Sequence, residues 1–95
     1  MERRPAAFEW DEEKAAANLR KHGVPFDVAP EAFRDDHRLD QVDERRDYGE
    51  ERRHIVACVD GLHLAVSYTM RGDVARIISI RRASRQERNR YADRS

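Results

Sequence analysis

The spacing of hydrophobic and polar positions changes period along this 95-residue chain, and each change marks an element. Phe8-Glu9-Trp10 alternates, which predicts a short first strand. Asp11 then offers a side-chain acceptor to open backbone N–H groups, and Glu12 and Glu13 suit the positive end of a helix. A helix is predicted from Glu12 to His22, with Ala15, Ala16 and Leu19 on one stripe and Gly23 placed to end it. A second, short helix is predicted over Val28 to Phe33 with Asp27 as N-cap. That register puts Pro30 in the first turn, where its missing N–H costs nothing. Phe26, Val28, Ala32 and Phe33 are the predicted core contacts of this segment.

Beyond residue 37 the period falls to two. A short strand is predicted near Arg38–Val42, and the charged segment Asp43–Glu51 reads as a mobile loop. Arg53–Val59 and Leu62–Thr69 are predicted strands joined by Asp60-Gly61, a pair that favours the positive φ of a two-residue hairpin. Arg71-Gly72-Asp73 turns the chain into a third strand, Val74–Arg81. Strict alternation sends Ala75, Ile77, Ser79 and Arg81 one way, and Arg76, Ile78, Ile80 and Arg82 the other. The Ile78/Ile80 side is read as core, so Ser79 and Arg81 face an open side near His63, Ser67 and Thr69. A last helix begins after Ser84, with Ser84-Arg85-Gln86-Glu87 fitting a capping box. This order implies an α+β domain: a short N-terminal strand and two helices, an antiparallel sheet of about four strands, and a C-terminal helix. The helices pack on one face and the other face stays open. One domain is expected over residues 8–92, with 1–7 and 93–95 as flexible termini.

Charge sharpens this picture. The net charge is zero, but residues 1–70 carry eleven basic against sixteen acidic side chains, while residues 71–95 carry eight against three. Only Lys14 and Lys21 among the 19 cations are lysines. Arginine's planar fork grips phosphate or carboxylate with two hydrogen bonds, so the bias fits a polyanion or an acidic protein partner; the plain alternative is a solvated surface. Cys58 is the single cysteine, in an apolar run, and reads as a small buried hydrophobe. No stretch approaches a membrane span or a secretory signal, so a cytoplasmic protein is expected. There is no P-loop, dinucleotide fingerprint or nucleophile elbow, and no histidine spacing that holds a metal, so neither cofactor nor metal is expected.

The candidate chemistry lies between Arg71 and Arg90. Arg71, Arg76 and Arg81 are fixed by turn and strand and can stabilise charge on a phosphate. Arg85, Arg88 and Arg90 ride the last helix and suit attraction of a nucleic-acid backbone. Arg82 and Tyr68 join the expected RNA contacts. Of the four histidines, His54 and His63 lie on adjacent strands and are the better acid–base pair, ahead of His22 and His37.

Several motifs in register carry a resemblance. They are Phe8-Glu-Trp-Asp11, Asn18-Leu-Arg-Lys-His-Gly23, Phe26 with Phe33, Glu51-Arg52-Arg53, Tyr68-Thr-Met-Arg-Gly-Asp73 and Arg76-Ile-Ile-Ser-Ile-Arg-Arg-Ala-Ser84. Over about residues 8–92 the chain resembles the BrnT family of type II toxins. The resemblance implies a RelE-like fold and metal-independent RNA cleavage that arrests translation. It also implies neutralisation by a BrnA-like ribbon-helix-helix antitoxin in a heterotetramer, with operator DNA met only through the antitoxin. Carried over by position, the arginines of the Arg71 turn and of the Arg76–Arg81 strand are the active-site candidates, and Glu51 joins the histidines as a candidate proton carrier. Pro30 interrupts the usual second helix, and Ile80 stands where a small residue is common. The rival reading is a non-enzymatic module whose arginines serve only to bind.

Overall fold

The computed structural model describes residues 4–44, 47 and 49–94. Part of the segment expected to be a mobile loop, residues 45, 46 and 48, lies outside the described residues, as do residues 1–3 and 95. Strand β1 is Ala7–Glu9 and helix α1 is Glu12–His22. The Asp11 carboxylate accepts from the Glu13 and Lys14 N–H groups, and Gly23, at φ 74°, closes the last turn onto Leu19. A 3₁₀ turn, Phe26–Val28, leads into α2, Ala29–Arg34. Pro30 sits in the first turn of α2 as expected. Asp27 is not its cap, because the 3₁₀ turn consumes that residue and moves the helix start to Ala29. Strands β2 (Leu39–Asp43), β3 (Arg52–Val59), β4 (Leu62–Arg71) and β5 (Val74–Arg82) follow, then α3 (Arg85–Arg94). Asp60 and Gly61, at φ 50° and 81°, form the tight β3–β4 hairpin.

The sheet has five strands in the order β1-β5-β4-β3-β2. The domain is thus α+β, with one strand more than expected in the sheet. β1 joins the meander by pairing parallel to β5, with Glu9 beside Arg76. It opens at Ala7, inside the segment expected to be loose, and Arg4 before it pairs with Asp36.

One face of the sheet carries the core. Phe26, Ala29, Ala32 and Phe33 pack on Ile55, Ala57, Leu64, Val66, Tyr68, Ile77 and Ile80, all nearly inaccessible. Rings lock this layer: Phe33 meets Tyr68 edge-on at 4.8 Å, and Trp10 meets Phe26 at 6.0 Å. Inside it, Asn18 of α1 donates to the carbonyls of Val24 and Ile80 and accepts from the Ile80 N–H, tying α1 to β5.

Two expectations about the faces change. The register of β4 on β5 slips between Ser67↔Ser79 and Tyr68↔Ile77, leaving Ile78 as an extra residue on β5. Alternation therefore resets. Ile77 and Ile80 both face the core, and Ile78 is only half-buried. Secondly, α3 does not join the other helices. It folds over the opposite face, where Val56 and Ala65 are buried beneath it and Glu87 and Tyr91 meet the sheet through His54 and His63.

Candidate functional site

The bulge decides where the arginines stand. Thr69, opposite Arg76, and Ala65, opposite Arg81, lie on the same face of β4. Arg76 and Arg81 therefore share the second face, which strict alternation had divided between them. They are five residues apart but, with the bulge between them, about 13 Å apart along the strand, and each has its own carboxylate.

At the upper position Glu87 gathers four donors. Arg81 grips it with both terminal nitrogens, Nη1 to Oε1 at 2.7 Å and Nη2 to Oε2 at 2.9 Å. His54 Nε2 lies 3.0 Å from Oε2, and the Ser84 N–H donates to Oε1 at 2.8 Å. The Ser84 hydroxyl oxygen in turn accepts from the Glu87 N–H, so the capping box forms as the spacing predicted. The Arg81 guanidinium holds the Glu87 carboxyl down at about 2 against the push of burial, helped by Ser84 and by the charges of Arg81 and His54. Glu87 is thus a fixed anion across the physiological range. A small cleft of about 210 Å³ opens beside it, lined by His54, Glu87, Gln41, Asp43 and Arg90. Arg85 and Arg88 are exposed nearby, the latter donating to the Ala83 carbonyl at 3.0 Å, whereas Arg82, opposite Leu64, is exposed on the other face of the sheet.

At the lower position Arg76 Nη1 meets Glu9 Oε2 at 2.6 Å, and Arg71 Nη1 approaches the same oxygen to 4.0 Å. This group is open to water.

The other expected residues are dispersed. His63 pairs with Cys58 near the hairpin, whereas His54 pairs with Ser67 at mid-sheet. The two histidines are not neighbours, and His63 instead stacks edge-on against Tyr91 at 5.2 Å. His22 and His37 lie on neither cluster. Glu51 and Tyr68 border a different cleft of about 850 Å³ on the core side, with Asp40 and Arg53. Tyr68 is 2% exposed, and its hydroxyl donates to Asp40 Oδ2 at 2.6 Å. Burial and that carboxylate push the phenol well above its ordinary range. Tyr68 therefore does not stand with the arginines. Among the described residues the Glu51 carboxylate reaches Arg53, at 3.4 Å, while its carbonyl accepts from Thr69.

Sequence reasoning noticed Glu87 as a cap and missed it as the hub. The capping box fixes where the Glu87 backbone sits, but its partners Arg81 and His54 are 6 and 33 residues away. It also missed Asp35, whose Oδ2 accepts from the Cys58 N–H and the Tyr91 hydroxyl and so ties the far end of α3 down. Burial raises the Asp35 carboxyl, but these bonds and those of His37 outweigh it and leave it below the ordinary value.

Among the described residues no three His, Cys, Asp or Glu side chains are placed to hold a metal ion, and no helix is long and apolar enough to cross a membrane. Comparison with curated proteins returned no match. The model of one family, described as the ribonuclease toxin BrnT of type II toxin–antitoxin systems, matches residues 10–87. That stretch runs from Trp10 to Glu87 itself, so it includes both arginine clusters apart from Glu9. On a match this long, the chain belongs to the BrnT family of ribonuclease toxins of type II toxin–antitoxin systems.

Proposed function

We propose that the protein is a metal-independent endoribonuclease whose reaction centre is the Arg81–Glu87–His54 cluster. The observation that carries this is the bidentate Arg81–Glu87 pair with His54 on the same carboxylate, at the edge of a cleft. In the reaction a ribose 2′-oxygen attacks the adjacent phosphorus. The P–O2′ bond forms as the P–O5′ bond breaks, giving a 2′,3′-cyclic phosphate and a 5′-hydroxyl. Negative charge builds on the phosphate oxygens, and a guanidinium held in place meets it without reorganising. Glu87 does the holding, since a carboxylate bound by four donors keeps both Arg81 and His54 in one orientation. His54 is the group beside Arg81 suited to carry the proton between the 2′-hydroxyl and the leaving 5′-oxygen. Glu51 meets Arg53 on the core side and His63 stacks on Tyr91, so neither is given a part in this step.

Arg85, Arg88 and Arg90 serve as a rim that draws the RNA backbone in; Arg82, opposite Leu64, alternates to the other face. Tyr68, buried on the other face, has no part in it. In the cell the cleavage arrests translation in the cytoplasm. A BrnA-like ribbon-helix-helix antitoxin neutralises the toxin in a heterotetramer and carries it to operator DNA. These expectations rest on the family.

Purified protein incubated with RNA in excess EDTA should yield fragments ending in cyclic phosphate, and induced Arg81→Ala should relieve growth arrest while remaining folded. RNA bound but left intact would instead support the purely binding module, and full toxicity of Arg81→Ala would remove Arg81 from the mechanism.

A further inference from the structure

The lower half of the second face is untouched by the reaction proposed above. The pairings place a row of charges straight across it. Glu9 lies beside Arg76, Arg76 opposite Thr69, and Arg52 opposite Asp43. Since Arg53 pairs with Tyr68, Arg52 falls opposite Thr69 and completes the row. The next row up is Ser79, Ser67, His54 and Gln41, and the one above it is Arg81, Ala65, Val56 and Leu39. Rows two residues apart are separated by about 7 Å, so the Arg76 and Arg81 rows stand about 13 Å apart. Between the two arginines β4 contributes Ser67 and β5 contributes Ser79 and the extra residue Ile78, all half-buried.

Two features of the lower group suit it to an external anion. Arg71 and Arg76 share one carboxylate, so positive charge is in excess. The side chains of Arg71, Arg76 and Glu9 are 55%, 29% and 41% exposed, so a phosphate can take the place of Glu9 without burying it unpaired. Among the described residues of the three rows, His54 is the only ring. A strand lying here is therefore held by its phosphates rather than by base stacking.

We propose that Arg71 and Arg76 form a second phosphate-binding subsite on this face. It takes a backbone phosphate about two nucleotides of extended chain away from the one at Arg81, so the site is built for a single strand of at least three or four nucleotides. This inference rests on RNA being the ligand of the Arg81 cluster, but it concerns binding and is testable without cleavage.

The probe is a set of uniform oligoribonucleotides, two, four and six residues long, fully 2′-O-methylated so that they cannot be cut. Wild-type affinity should rise about tenfold or more between the dinucleotide and the tetranucleotide, because the second phosphate is then bound within one chain. In the Arg71→Ala/Arg76→Ala double variant that rise should disappear. The slope of log affinity against log salt for the hexanucleotide should also fall by about 0.7 for each phosphate that is no longer neutralised. Arg71→Ala alone, at an exposed side chain, should remove part of the rise without touching the β1–β5 pairing. The subsite is overturned if affinity does not rise with length in the wild type. It is equally overturned if the rise survives both substitutions, or if the dinucleotide loses as much affinity as the tetranucleotide. Failure of the nuclease reading looks different: unmethylated RNA stays intact while the length dependence persists.

Discussion

Glu87 and Glu9 each hold an arginine of β5 on the same face of the sheet, but Glu87 leaves 9% of its side chain exposed and Glu9 leaves 41%. Glu87 takes two bonds from Arg81, one from the Ser84 N–H and a contact with His54, and sits in the first turn of a helix that lies against it. Glu9 takes one bond from Arg76 at the edge strand, with Arg71 at a distance. The same residue types at similar contact distances thus make a rigid device in one place and an exchangeable one in the other. Burial and the number of donors separate them. A group that must meet developing charge needs a fixed position, whereas a group that captures a passing phosphate needs an anion it can release.

This contrast can be tested most strongly by removing Glu87. Glu87→Ala strips Arg81 and His54 of their shared partner and uncaps α3. It should cost about 3 kcal/mol of unfolding free energy in urea; a loss under about 1 kcal/mol would mean the cluster is not rigid. Next comes Asn18→Ala, which leaves the Ile80 N–H and C=O buried without that partner just before Arg81. It should cost about 2 kcal/mol and lower RNA cleavage by shifting β5. A smaller effect should appear in acid. The Glu87 carboxyl sits at about 2, below its ordinary 4.5. A depressed carboxyl contributes stability above its unfolded value that is lost as pH falls through the folded one. The wild type should therefore lose stability between about pH 4.5 and 2, and Glu87→Gln should flatten that slope. The smallest effect belongs to Glu9→Gln, at most about 1 kcal/mol, with RNA binding unchanged or tighter; a loss as large as that of Glu87→Ala would erase the distinction.

Much of the local structure was legible because it is written in neighbouring residues. Asp11 and Gly23 bracket α1, Asp60-Gly61 makes the hairpin, and Ser84 with Glu87 starts α3. What was not legible depends on distant partners. β1 pairs with β5 across some 67 residues, and no local pattern announces it. The single extra residue at Ile78 turns the face of everything after it, so Arg76 and Arg81 looked opposed on a period of two and in fact stand together. The helix α3 exposes residues on nearly every side, so its sequence gives no apolar stripe to show that it closes over the second face. It is held there by Glu87 on Arg81 and His54 and by Tyr91 on Asp35 and His63. For the same reason the arginines were found as candidates, while the carboxylate that organises them was read only as a cap.

The most direct test compares Arg81→Ala and Arg76→Ala on one long RNA in EDTA, measuring kcat and KM separately. Arg81→Ala should lower kcat by about a hundredfold or more, and Arg76→Ala should act mainly by raising KM. The reverse pattern, with kcat lost at Arg76 and only KM raised at Arg81, would contradict the placement of the reaction at the Glu87 cluster.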